Sequence, residues 1–164
     1  MCYNIHQKEV TMALYKILEE LNISYDEISH KAVFTVEEAK LVNESIIGIG
    51  CKNLFLTDKK KYYLVVLEEN KMANIKEIGE FIQSNRLSFA SPERLKKVLD
   101  LIPGSVTPFG IINDIENKVM LIIDKELQNQ RLLFHPNTNT KTMAIDFDDL
   151  IKFIEHQGNK YKLF

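Results

Sequence analysis

The chain has only two cysteines, Cys2 and Cys51, and they form no CxxC pair. A disulfide framework and a thiolate zinc ribbon are therefore excluded, and a reducing, cytoplasmic location is expected. Net charge is also small: 21 basic against 23 acidic residues leave -2. No global field collects nucleic acid, so any contact with RNA has to be local. Long hydrophobic runs are missing, and the opening MCYNIHQKEV has no apolar core, so neither a membrane span nor a secretory signal is expected. GxSxG and HExxH do not occur, and His6, His30, His135 and His156 stand far apart. A serine-hydrolase elbow and a zinc-peptidase helix thus have no support. There is no RNA-recognition motif, no internal repeat, no low-complexity segment and no linker.

What is present is a chain of 164 residues, 45% hydrophobic, enough for one domain, 1–164, with a real core. Val10, Leu14, Ile17, Leu18 and Leu21 recur at helical spacing, predicting a helix over 8–22 after a short polar lead that carries His6. Ser24 to Ser29 reads as a short strand. Thr35 with Glu38 has capping-box spacing and predicts a helix to about Val42. Leu54–Leu56 and Tyr62–Leu67, around a charged turn, predict a hairpin. Asn74, then Ser91-Pro92-Glu93, open two further helices. Beyond them Gly110–Asn113, Val119–Asp124, Arg131–Phe134 and Met143–Ile145 read as strands, and Asp146 begins a last helix that stops near Gly158. With no strict β-α alternation, the expected class is α/β with an α+β-like order: a mixed sheet with helices packed on it.

Chemistry concentrates in three places. The stretch LIPGSVTPFGII, 101–112, sets Gly104 and Pro108 four apart, a stiff loop whose backbone a ligand can approach. An ordinary helix-to-strand turn is the plainer account of it. Lys52 stands between a glycine-broken apolar run and a buried strand, where its ammonium can meet a phosphate or polarise a carbonyl, or simply be solvated. Asn53 follows, and it serves at least to start the strand. Cys51 reads as a buried filler with no base beside it. His135, at a strand end, is either a satisfied structural histidine or a pocket wall. The runs Lys59-Lys60-Lys61 and Lys96-Lys97 read as solvated faces, with a few phosphate contacts as the alternative for either.

Taken in order, HKAVFTVEEA at 30–39, GCKNLFL at 50–56, PGSVTPFG at 103–110 and LFHPNTNTKT at 133–142 resemble the signature of the YbaK / aminoacyl-tRNA deacylase superfamily. The wording is most similar to its ProXp-ala (PrdX-like) trans-editing branch, and the resemblance spans about 8–157. It implies a mixed, curved β-sheet with helices around it, and a hydrolase that cuts the ester of mischarged tRNA(Pro), above all alanyl-tRNA(Pro). By that resemblance water attacks without metal, cofactor or covalent intermediate. Lys52 and Gly104 would carry catalysis, while Asn53, Ser105, Val106, Thr107, Pro108, His135, His30, Val33 and Phe34 would bind the substrate. The implied partners are the tRNA(Pro) acceptor end and, transiently, prolyl-tRNA synthetase or an elongation factor. Two alternatives stay open: the same chemistry on cysteinyl or seryl esters, and a non-catalytic module that holds aminoacyl ends.

Overall fold

The computed structural model describes residues 2–164, with side chains from Ile5 onward, so the side chain of Cys2 lies outside the described residues. Helix α1, Cys2–Glu20, leads into strand β1, Asp26–Ser29, and helix α2, Val36–Asn43. The hairpin β2, Ile49–Thr57, and β3, Tyr62–Glu68, comes next, followed by α3, Ile75–Phe81, a two-residue β4, Ser88–Phe89, and α4, Pro92–Leu99. The second half holds β5, Val119–Ile123, β6, Arg131–Phe134, β7, Lys141–Asp146, α5, Phe147–Gln157, and β8, Tyr161–Leu163.

The eight strands of the described residues join one sheet in the order β1-β7-β6-β2-β3-β5-β8, with β4 on the edge of β2. The sheet is mixed, as the element order predicts. β2 runs parallel to β6, and β5 runs parallel to both β3 and β8, while the other pairs are antiparallel. Its central strands bury both faces, which explains why β3 reads as continuous apolar sequence rather than as alternation. Leu64 and Val66 face a core shared with Leu14 and Leu18 of α1, Leu99 of α4, and Phe153 and Ile154 of α5. Tyr63, Val65 and Leu67 face the other side, where Ile78 of α3 packs. The hairpin is closed by Asp58, whose Oδ1 accepts from the Lys60 and Lys61 amides at 2.9 and 2.7 Å.

Two expectations are corrected, and two strands are added. The first helix begins at Cys2 rather than residue 8, so His6 lies within a helix and its Nε2 sits 2.7 Å from Asp100. Gly110–Asn113 is not a strand but part of a 3-10 helix, Pro108–Asn113. Thr107 caps it and Pro108 occupies its first turn, and the Gly110 amide donates to Thr107 O at 3.1 Å. A short apolar run looks alike whether a chain enters a sheet or dives into a core, and here Phe109 and Ile111, at 0% and 1% exposure, take the second course. Finally, β4 and β8 escape a sequence reading because each is too short to show a period.

Candidate active site

Strand β2 changes partners along one edge, and this opens the site. Ile49 and Gly50 pair with Leu132 and Leu133 of β6, whereas Leu56 and Thr57 pair with β4. Between them β2 and β6 have no ladder. Two parallel strands that part toward their C-terminal ends leave a fork, the kind of place where open sheets take ligands. The fork holds a cavity of ≈ 230 Å³ lined by Lys52, Asn53 and Leu54 of β2, by Leu133, Phe134 and His135 at the end of β6, and by Gly104 and Val106 of the 101–107 loop. Phe34, Thr35, Val36 and Ala39, at the start of α2, cover another side.

The loop is held in place by contacts that only the fold supplies. Asn53 donates from Nδ2 to the Val106 carbonyl at 3.0 Å and so fastens the loop to β2, while its Oδ1 is buried without a partner. Gly104 has φ +84, and a Cβ there would lie 3.0 Å from the Phe34 carbonyl oxygen. Glycine is therefore required twice, by conformation and by space. The Ser105 amide is spent on Ile102 O at 3.1 Å. The amides of Gly104 and Val106 form no hydrogen bond among the described residues.

His135 is fixed in one tautomer. Its Nδ1 lies 2.9 Å from the Lys141 carbonyl, an acceptor only, so Nδ1 carries the proton and Nε2 keeps its lone pair. Burial, together with the neighbouring His30, holds its pKa below the usual 6.5 despite the Lys141 bond, so the ring is neutral at physiological pH. The Cys51 thiol is pushed far up by burial and stays protonated, which removes it as a nucleophile. The Lys52 ammonium has no hydrogen bond or ion pair among the described residues.

The residues singled out from sequence divide into two groups. Lys52, Asn53, Gly104, Val106, His135 and Phe34 meet on the one cavity. Ser105 turns to a neighbouring hollow of ≈ 200 Å³, beside His6 and Asn137. Thr107 and Pro108 are buried beneath the loop as the start of the 3-10 helix. His30 stands behind the wall, donating from Nδ1 to Lys31 O at 2.7 Å and meeting Thr142 Oγ1 at 2.9 Å through Nε2. Val33 is buried, its amide bonded to Asn139 O at 3.1 Å. Sequence reasoning missed Asn43, Glu69 and Thr142, all of which line the cavity. Glu69 sits in LEEN and reads as a solvated turn; only its nearness to Gly50 marks it. Among the described residues no three His, Cys, Asp or Glu side chains converge as a metal cage would require.

The fork in the mixed sheet thus forms one pocket, bordered by the 101–107 loop and by Lys52. The family described as "Aminoacyl-tRNA editing domain" matches residues 30–153, and the chain belongs to it. It is an aminoacyl-tRNA deacylase, an ester hydrolase. Prolyl-tRNA editing protein ProX of Acetoanaerobium sticklandii is 37% identical over 94% of this chain and 96% of its own. Prolyl-tRNA synthetase associated domain-containing protein 1 of Danio rerio is 34% identical over 87% of this chain and 79% of its own. A solved structure assigned as a trans-editing enzyme for prolyl tRNA synthetase has the same fold, with TM-score 0.69, 16% identity, and coverage of 94% of this chain and 95% of that one.

Proposed function

We propose that this chain acts in trans on tRNA(Pro) mischarged with a small amino acid, alanine before others, and releases the amino acid by water attack on the ester. The observation that carries this reading is the shared cavity, ≈ 230 Å³, whose wall includes Lys52, Gly104, Val106 and His135 together. The names of the ProX and synthetase-associated relatives support tRNA(Pro) as the carrier. The need is physical: alanine is smaller than proline, and a missing methylene is worth only about 1–3 kcal/mol to a synthetase pocket. A second, smaller sieve corrects that error.

Ester hydrolysis passes through a tetrahedral species whose oxygen gains charge, and donors aimed at that oxygen lower the barrier. The unspent amides of Gly104 and Val106 are suitable donors. Lys52 engages the phosphate of the terminal nucleotide or the reacting centre. Neutral His135 shapes the acyl pocket and offers only a lone pair to it. The acceptor end of tRNA(Pro) is the partner, with prolyl-tRNA synthetase or an elongation factor handing it over transiently.

The test is deacylation of alanyl-, cysteinyl- and prolyl-tRNA(Pro) by the purified protein, beside Lys52→Ala and Gly104→Ala. Alanine is expected to leave fastest, and each variant to be slower by on the order of 100-fold. Equal release of all three amino acids, or an undiminished Lys52→Ala, defeats the proposal.

A further inference from the structure

The cavity holds two opposite charges that do not pair with each other. Lys52 is one; Glu69, the residue after β3, is the single carboxylate among the described residues lining it. The position of Glu69 is built. Its amide donates to Gly50 O at 2.9 Å, and its Oε2 accepts from Nδ2 of Asn43, the last residue of α2, also at 2.9 Å. Gly50 makes room for this pair: a Cβ there would fall 2.1 Å from Glu69 Oε2 and 2.5 Å from Asn43 Nδ2. An amide orients the carboxylate without neutralising it, and Oε1 has no partner among the described residues. A charge held at a cavity wall with one oxygen open is arranged for a cation that arrives with the ligand.

We propose that Glu69, oriented by Asn43, receives the α-ammonium of the aminoacyl ester, so that the enzyme reads a free amino terminus. This rests on the deacylase reading above. The charged end of an aminoacyl-tRNA carries a phosphate on one side of the ester and an ammonium on the other. Lys52 and Glu69 answer these in complementary order. Gly50 and Lys52 are two residues apart on the same face of β2, about 7 Å along the strand, and Glu69 lies over the first of them. An ester whose α-nitrogen is acylated, as in peptidyl-tRNA, or replaced by a hydroxyl brings no counter-charge, and it leaves Glu69 desolvated and unpaired. Such esters are poor substrates even when they fit.

The experiment compares two isosteric esters on one tRNA: alanyl-tRNA(Pro), and the same material after nitrous acid has converted its α-amine to a hydroxyl, giving the lactyl ester. Single-turnover kcat/KM is measured for wild type, Glu69→Gln, Glu69→Asp and Asn43→Ala. Wild type is expected to prefer alanyl over lactyl about tenfold or more, the strength of a charge-assisted bond. Glu69→Gln brings the two within about twofold by slowing the alanyl ester alone. Glu69→Asp keeps part of the preference, and Asn43→Ala, a positioning change, lies between. Because the readout is a ratio within each variant, partial unfolding cancels. A Glu69→Gln enzyme that keeps the wild-type ratio, or slows both esters equally, overturns this proposal alone. A wild type that cleaves neither ester overturns the deacylase reading and this one with it.

Discussion

At the scale of single residues, the site is a set of groups denied their usual freedom. His135 loses one nitrogen to the Lys141 carbonyl and loses its charge to burial, so it presents a lone pair rather than a cation. The consequence for pH follows from linkage. Its folded pKa lies below 6.5 while the unfolded chain keeps the ordinary value, so as pH falls through 6.5 the unfolded state takes up protons that the folded state refuses. Stability should therefore be full above this window and decline below it. Urea unfolding at pH 7.5 and 5.5 tests the point: wild type should lose more stability between the two than His135→Asn, and equal losses would count against a buried neutral ring. Legibility at this scale is uneven. Lys52 and His135 stand out because a charged or titratable residue beside a buried strand is uncommon. Glu69 does not, because an acid in a polar turn is the rule.

At the scale of elements, α2 shows how local grammar can place a helix that packing hardly holds. It has no buried residue, yet its N-terminus is fully capped. Thr35 Oγ1 accepts from the Glu38 amide at 3.2 Å, and Glu38 accepts in return from Phe34 N at 2.7 Å and Thr35 N at 3.2 Å. Those two amides keep the Glu38 carboxyl below its usual pKa. Removing the cap with Thr35→Ala should cost about 1 kcal/mol of local helix stability. Hydrogen exchange across 36–43 should then speed up about fivefold while the urea midpoint of the whole protein stays put. An unchanged exchange rate would mean that packing, rather than the cap, forms this helix. The same grammar made α3 and α4 readable, through Asn74 and Ser91. It failed for Pro108–Asn113, where the signals of a cap and an N1 proline were present at Thr107 and Pro108 but the apolar run after them suggested a strand.

At the scale of the whole molecule, core and cavity share a wall. Phe109 packs edge-on against Phe134 of β6 at 5.9 Å and Phe153 of α5 at 5.3 Å, and its carbonyl accepts from Asn137 Nδ2 at 3.2 Å. It anchors the 101–107 loop from below as Asn53 does from the side. Phe109→Ala should lower stability by about 3–5 kcal/mol in denaturant titration, and deacylation should fall further than the folded fraction alone explains. Activity that simply tracks the folded fraction would argue that the loop is held from β2 only.

The sequence by itself determined the period of the helices, the hairpin, the caps, the mixed order of elements and the stiffness around Gly104, because each depends on residues a few places apart. Tertiary structure alone decided that β2 leaves β6 after Gly50, that Asn53 reaches 53 residues along the chain to Val106, and that Glu69 stands over Gly50 beside Asn43. Those contacts are chosen by how the sheet closes its core, and no spacing along the chain encodes which strand a strand will abandon.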